Sequence, residues 1–192
     1  MHASLLTFTL TLLSLSSPRP VGTPVLQLPG PPEQQLLLGE WTLRITYAPS
    51  KRLPKGGQAT GTEIWRAGPD GRSILEEYRE EGDAGLVEGI GLVWFDATAG
   101  GQRFVWCGSG DPAGCTLSSS VARWEGSQLV YSETAEQGGV RILREEIFRD
   151  INPDSFLQLL KEGPAVGDPT TVVTIRATRR VPSSKPPKKK PR

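Results

Sequence analysis

The feature that most constrains this chain is a regular alternation of short, partly apolar segments with glycine- and proline-rich turns. The ten segments span residues 41–47, 59–66, 73–81, 86–96, 102–107, 115–124, 128–134, 140–150, 155–162 and 171–179. Short strands separated by such turns predict an all-β fold. Because each connection suits a hairpin and none is long enough for a Greek-key crossing, we expect a single up-and-down antiparallel β-barrel of about ten strands.

The first predicted strand has the clearest pattern. Apolar side chains occupy every second position of residues 41–47, and threonine or arginine occupies the others. This alternation is typical of an antiparallel strand with one buried face. Before it, residues 31–39 begin with two prolines and end on Gly39, which predicts a short N-terminal helical turn.

Composition divides the chain into four parts. Residues 1–17 contain a short apolar run before small residues, which predicts a signal peptide and not a membrane span. Residues 18–35 are a proline-rich linker, residues 36–180 form the barrel domain, and residues 181–192 form a disordered basic Lys/Pro tail. We therefore expect an exported protein, periplasmic or extracellular, with an uncleaved anchor as the alternative.

Charge is distributed unevenly between the tail and the rest. The chain has 22 basic and 21 acidic residues, and five of the basic ones lie in residues 181–192. The remainder is therefore acidic, which argues against a nucleic-acid partner. The tail is interpreted either as a solvated extension or as a segment with weak electrostatic contact to an anionic membrane or wall polymer. The sequence does not indicate an oligomeric state.

The scarcity of histidine excludes several kinds of chemistry. The only histidine, His2, lies in the predicted signal peptide. If the signal peptide is removed, the protein has no histidine. This excludes Ser-His-Asp and Cys-His catalysis, and also His-ligated zinc or haem. Two cysteines are too few for a cysteine-rich metal site. We therefore expect no cofactor, no metal site and no catalytic residue of these kinds.

Cys107 and Cys115 flank a seven-residue loop rich in glycine between two predicted strands. In an exported protein such a pair predicts a structural disulfide. A redox-active pair is the alternative, although the spacing is not that of a Cys-x-x-Cys motif.

Aromatic residues are spread over the predicted strands, and either pack in a core or line a cavity. Small barrels of this size are filled with side chains or hold one small ligand. The candidate ligand-binding residues are Tyr47, Trp65, Tyr78, Trp94 and Trp106.

Charged residues on the predicted strands are candidates for the interior. A carboxyl group in an apolar cavity has a raised pKa and can serve as a general acid or base. The candidate cavity charges are Glu77, Glu88, Arg144 and Glu146. The alternative is a solvated outer face with cross-strand ion pairs.

The motif Gly39-Glu40-Trp41, at the start of the first strand after a helical turn, resembles the signature of the lipocalin and calycin superfamily. In that family an arginine near the last strand packs over the tryptophan. The resemblance thus implies a structural pair of Trp41 with Arg176, Arg179 or Arg180, of which we assign Arg179.

Further segments are similar to a bacterial family of unknown function with a lipocalin-like barrel. They are residues 75–79, 89–96 and 152–156. The resemblance implies a lipocalin- or fatty-acid-binding-protein-like barrel that binds small ligands, and no established activity. The related haem-binding nitrobindins use a histidine, which this chain lacks.

Three functions are compatible with these patterns. The leading hypothesis is a binding protein that holds a small apolar or amphipathic ligand in the barrel. The second is an envelope-associated interaction or structural protein with a filled barrel and a basic tail. The third is a histidine-independent enzyme, of the isomerase or cyclase type, that uses a cavity carboxylate.

Overall fold

A computed structural model describes residues 31–110 and 113–181. The predicted signal peptide, most of the linker, and the tail beyond Val181 lie outside the described residues. The described part contains a short helix, α1 (Pro32–Leu37), and the strands β1 (Gly39–Tyr47), β2 (Gly57–Ala67), β3 (Ser73–Gly82), β4 (Gly85–Asp96), β5 (Gly101–Gly108), β6 (Cys115–Leu117), β7 (Arg123–Glu125), β8 (Gln128–Gln137), β9 (Val140–Arg149), β10 (Ser155–Pro164) and β11 (Thr170–Arg179).

These strands form one antiparallel sheet that follows the chain. Its order is β6-β5-β4-β3-β2-β1-β11-β10-β9-β8-β7, so every strand except β6 pairs with the strand that follows it in sequence, and β1 also pairs with β11. In β1, the buried Trp41, Leu43 and Ile45 alternate with exposed residues. The predictions of an all-β antiparallel fold and of a short N-terminal helical turn are confirmed.

The prediction of a single strand over residues 115–124 is wrong. β6 pairs with β5, β7 pairs with β8, and the serine-rich segment 118–120 separates them. The Ser118 hydroxyl accepts a hydrogen bond from the Ser120 backbone N–H at 3.2 Å. Such local bonds compete with a strand ladder. The described residues therefore contain eleven strands, and β6 and β7 are the two edges of the sheet.

The two edges nevertheless come together at one point. Gln102 on β5 and Ala122 before β7 exchange backbone hydrogen bonds of 2.9 and 2.8 Å. Aromatic contacts also cross the interior, from Trp65 on β2 to Phe148 on β9 at 5.6 Å between ring centroids. The sheet is thus strongly curled, but its edges are joined by a bridge instead of the continuous ladder expected for a closed barrel.

The hydrophobic core lies at the end of the curled sheet that α1 covers. Leu37 and Trp41 are fully buried, and the Trp41 indole N–H donates to the Leu37 carbonyl at 2.8 Å. The Trp41 and Phe156 rings meet edge to face at 4.9 Å. A helix of six residues has little stability alone, so this packing holds α1 in place.

Arg179 lies over Trp41 and joins the last strand to the helix. Its guanidinium carbon is 4.1 Å from the centroid of the Trp41 ring. Its Nη1 and Nη2 atoms donate to the carbonyls of Leu38 and Leu36 at 2.9 and 2.7 Å. These carbonyls at the helix end would otherwise have no partner.

The structure explains why the first residue of the Gly-x-Trp motif is glycine. Gly39 has a φ of +137°, which side chains rarely adopt, and a Cβ atom at this position would collide with the Arg179 guanidinium. The arginine can therefore reach over Trp41 only because residue 39 has no side chain.

The predicted disulfide between Cys107 and Cys115 is confirmed. The two residues are cross-strand partners on β5 and β6. The bond tethers the short edge strand β6 to the sheet. Within residues 31–110 and 113–181, no helix is long and apolar enough to cross a membrane.

Candidate functional site

A cavity of about 870 Å³ occupies the half of the interior that the core leaves empty. The division is visible along individual strands. On β9, Phe148 belongs to the core and Glu146 lines the cavity, while on β10 Phe156 belongs to the core and Leu160 lines the cavity. The core thus forms the floor beneath the cavity.

Aromatic side chains form one wall of the cavity. Trp106 contacts Tyr78 edge to face at 5.9 Å, and Phe104 lies 6.2 Å from Trp106 and 5.9 Å from Tyr131 between ring centroids. All four rings line the cavity. A Cβ atom on Gly89 would collide with the Trp106 ring, so this glycine makes room for the indole.

Carboxyl groups lie at the level where core and cavity meet. Glu63 on β2 is 0% exposed and Glu76 on β3 is 8% exposed. Glu76, and Glu146 on β9, line the cavity, and Glu63 lies behind the lining. The three groups repel one another electrostatically. We call Glu63, Glu76 and Glu146 the carboxyl layer.

Burial dominates the protonation of this layer. Desolvation is the main cause that raises the pKa of Glu63; Glu76 and Trp65 oppose the rise and the Glu146 charge adds to it, and the resulting pKa is about 7. Desolvation, and then repulsion by Glu63 and Glu146, holds the pKa of Glu76 well above its usual range. Desolvation also raises the pKa of Glu146. Each of these shifts favours the protonated form of the group.

Polar atoms without partners accompany the carboxyl layer. Neither carboxyl oxygen of Glu63 has a hydrogen bond of good geometry, although Glu76 and the Trp65 indole interact with the group. Gln158, which lines the cavity and is 7% exposed, donates from Nε2 to Glu146 Oε1 at 2.6 Å. Its own Oε1 has no partner. Buried acceptors in this state leave hydrogen-bonding capacity for a ligand.

Most other charged groups around the cavity are already satisfied. Arg144 pairs with Glu162 at 3.1 Å, and Lys161 with Glu145 at 3.8 Å.

Hydroxyl groups satisfy two further glutamates. Glu80, which is buried beside the cavity wall, accepts hydrogen bonds from the hydroxyls of Tyr47 and Tyr78, both at 2.6 Å. Glu133 accepts from Ser118 and Ser119 at 3.2 and 3.1 Å.

The structure brings only some of the sequence-predicted site residues together. The cavity lining includes Tyr78, Trp106, Arg144 and Glu146. Trp65 lies in the core, 3% exposed, against Phe148.

The other candidates lie elsewhere. Tyr47 holds Glu80 and is not part of the lining. Trp94 is on the face of β4 opposite to the buried Val93. Glu77 and Glu88 lie on the outer surface, in ion pairs with Arg66 and Arg79, and not in the cavity.

Several lining residues were not identified from the sequence, notably Glu76, Phe104, Tyr131 and Gln158. A signal for Glu76 exists, because Ile74, Glu76, Tyr78 and Glu80 share one face of β3. The opposite face of β3 carries Leu75 and is equally plausible as the interior from the sequence. The prediction that Glu77 points inward is therefore wrong by one residue. Glu63 and Gln158 have no signal in a single sequence.

A second cavity of about 430 Å³ lies at the bridge between the sheet edges, lined by Phe95, Gly100, Gly101, Gln102, Ala122, Arg123 and Trp124. It contains no buried carboxyl group. Among the described residues, no group of three or more His, Cys, Asp or Glu side chains is arranged to hold a metal ion.

No protein-family model and no curated protein matches the sequence. Solved structures with partial similarity include a de novo designed fluorescence-activating β-barrel, with a TM-score of 0.41 and 16% identity over 76% of this chain and 95% of that chain. Another is EF1p2_mFAP2b bound to DFHBI, with a TM-score of 0.41 and 12% identity over 77% of this chain and 97% of that chain. The functional assignment therefore rests on the geometry of the cavity.

Proposed function

We propose that the protein is an exported, lipocalin-like barrel that binds one small amphipathic organic molecule in its larger cavity. The observation that carries the proposal is the cavity of about 870 Å³ with an aromatic wall and carboxyl groups in its lining. Small-molecule sites in proteins occupy roughly 300–1,000 Å³ and combine apolar walls with a few polar groups. The alternative of a filled barrel does not fit an interior that is only half packed.

Two further features support the finer parts of this proposal. The Cys107–Cys115 disulfide is compatible with an oxidising compartment, which agrees with the signal peptide expected at residues 1–17. The packing of Arg179 over Trp41 beside Gly39 agrees with a lipocalin-like base. A mature N-terminus downstream of residue 15, determined on protein secreted by its own host, would support export, whereas an intact Met1 terminus would oppose it.

The binding proposal is tested with prodan, an uncharged amphipathic fluorophore. We expect a saturable blue shift with one site per chain. Val87 lines the cavity, and Val87→Trp should weaken prodan binding because the indole would take up part of the space beside the ligand. Leu86, the next residue, is 51% exposed on the outer face, so Leu86→Trp is the matched control and should bind as the parent does. Equal binding by both variants would refute a ligand site in this cavity.

One observation supports the hypothesis of an enzyme: the pKa values of Glu63 and Glu76, next to a cavity, are raised. It is distinguished by following a molecule that co-purifies with the protein. A binding protein returns that molecule unchanged after prolonged incubation, whereas an enzyme of the isomerase or cyclase type converts it without a change of mass. Chromatographic identity before and after incubation is the readout.

A further inference from the structure

We propose that the ligand of the larger cavity carries a protonated amine, which lies against Glu76, Glu146 and Gln158, while its apolar part lies against the aromatic wall. The inference rests on the proposed binding function and specifies the chemical class of the ligand. It follows from the charge balance of the cavity, from the unpartnered amide oxygen of Gln158, and from the arrangement of the aromatic rings.

The charge balance of the lining favours a cation. Five glutamates but only two basic residues line the cavity: Glu76, Glu133, Glu145, Glu146, Glu162, Arg144 and Lys161. Both basic groups are engaged in ion pairs with Glu145 and Glu162. In the part of the chain that the structure describes, no basic side chain pairs with Glu76 or Glu146. A buried carboxylate without a counter-charge is unfavourable, so a bound cation would stabilise it.

The polar side chains beside the carboxyl layer favour a ligand that donates hydrogen bonds. Gln158 is only 7% exposed, and its Nε2 donates a hydrogen bond to Glu146. Gln158 lines the cavity, and its Oε1 has no hydrogen-bond partner and can only accept a hydrogen bond. An ammonium group has N–H donors and no acceptor, so it can bond to this oxygen and to the neighbouring carboxylates together. An anion or an ether would leave the oxygen unsatisfied.

The aromatic wall completes the recognition of an amphipathic amine. Phe104, Trp106 and Tyr131 present rings beside the carboxyl layer, where they can contact an apolar group or the carbon atoms next to a charged nitrogen. The faces of such rings attract cations. A cavity of about 870 Å³ is also far larger than a metal ion, and the described carboxyl groups are not arranged to hold one.

Binding of an amine at these carboxyl groups should also depend on pH. Glu63 on β2, Tyr131 on β8 and Glu146 on β9 interact electrostatically with Glu76 from other strands, and Glu133 interacts with Glu146. Burial raises the pKa of all three carboxyl groups, and repulsion by neighbouring glutamates adds to each shift. A bound cation favours the carboxylate form, so its binding releases protons and its affinity rises with pH.

The test uses three molecules that share a phenylalkyl body: 2-phenylethylamine, which is a cation at neutral pH, the uncharged 2-phenylethanol, and the anion 3-phenylpropanoate. Binding to the full chain is measured by calorimetry at about pH 7.5, in two buffers of different ionisation heat. We expect the amine to bind at least about tenfold more tightly than either of the others and to release protons. We expect millimolar Ca²⁺ not to displace it.

Two isosteric variants locate the charge recognition. Glu76→Gln should weaken amine binding about tenfold and leave 2-phenylethanol binding within about twofold. Glu146→Gln keeps an acceptor for Gln158 and provides an independent second variant if the first does not fold. Glu77→Gln is the matched control, since Glu77 is the next residue and lies outside in an ion pair with Arg66. It should bind the amine as the parent does.

The outcomes separate this inference from the proposed function. Equal affinity for the three molecules, or displacement of the amine by Ca²⁺, would overturn the amine assignment. So would an unchanged amine affinity in both isosteric variants, or binding of prodan without binding of the amine. In each of these cases the ligand-binding function would stand on the prodan result. If prodan also fails to bind at the Val87 site, the proposed function and the inference both fail.

Discussion

Glu63 provides the sharpest prediction about stability. The residue is fully buried, and neither of its carboxyl oxygens has a well-formed hydrogen bond. Desolvation raises its pKa from 4.5 to about 7. Well below pH 4.5 both the folded and the unfolded chain hold this proton, so the titration of Glu63 does not lower the free energy of unfolding. As the pH rises to about 7, the unfolded chain loses the proton while the folded chain keeps it, and stability falls.

The size of this loss follows from the shift. At about 1.4 kcal/mol per pKa unit, a change from 4.5 to about 7 corresponds to about 3 kcal/mol above pH 7. Glu63→Gln removes the titration and keeps the shape of the side chain. We therefore expect the variant to match the parent near pH 4 and to exceed its free energy of unfolding by about 3 kcal/mol near pH 8.

Urea unfolding monitored by tryptophan fluorescence at about pH 4, 6 and 8 measures the effect. Glu77→Gln serves as the surface control, because an exposed ion pair contributes little and its removal should leave the pH profile unchanged. If the Glu63→Gln and parent profiles run parallel from pH 4 to pH 8, Glu63 does not titrate with a raised pKa, and the description of the carboxyl layer is incorrect.

Three further predictions concern the base and the edge of the sheet. Trp41→Ala should lower the free energy of unfolding by about 3–5 kcal/mol, measured by urea unfolding, because Trp41 is fully buried against Phe156. Gly39→Ala should destabilise the protein by more than the same change at the exposed turn residue Gly138, because only Gly39 meets the arginine over Trp41; equal losses would contradict this. Replacing both cysteines by serine should cost about 2–3 kcal/mol, seen as a lower melting temperature, whereas no change would exclude a stabilising disulfide.

The sequence was sufficient for the strands and for the covalent link. Alternation in residues 41–47 predicted β1, and glycine and proline residues located most of the other connections, because these patterns reflect local backbone chemistry. The disulfide followed from two cysteines across one loop. The break at residues 118–120 was missed because the serines lie within a segment that otherwise alternates, and only the pairing partners β5 and β8 show that the strand changes neighbour.

The candidate site was less accessible to sequence reasoning. Choosing Glu77 instead of Glu76 shows why, since a one-residue error of phase moves a side chain from the interior to the surface. The polar residues that line the cavity come from strands far apart in sequence, such as Glu76 on β3 and Gln158 on β10. A buried polar group carries no local signature when its neighbours are supplied by tertiary packing, so the carboxyl layer appears only once the sheet is curled.

The most direct test of ligand binding in the larger cavity is an NMR titration of the five tryptophan indole N–H signals with prodan. Trp106 lines the cavity, Trp41 is sealed in the base, and Trp124 lines the second cavity. We predict a saturable shift of the Trp106 signal, assigned with a Trp106→Phe variant, while the Trp41 and Trp124 signals stay in place. A shift of the Trp124 signal without one at Trp106, or no shift at any indole at saturating prodan, would contradict the proposed site.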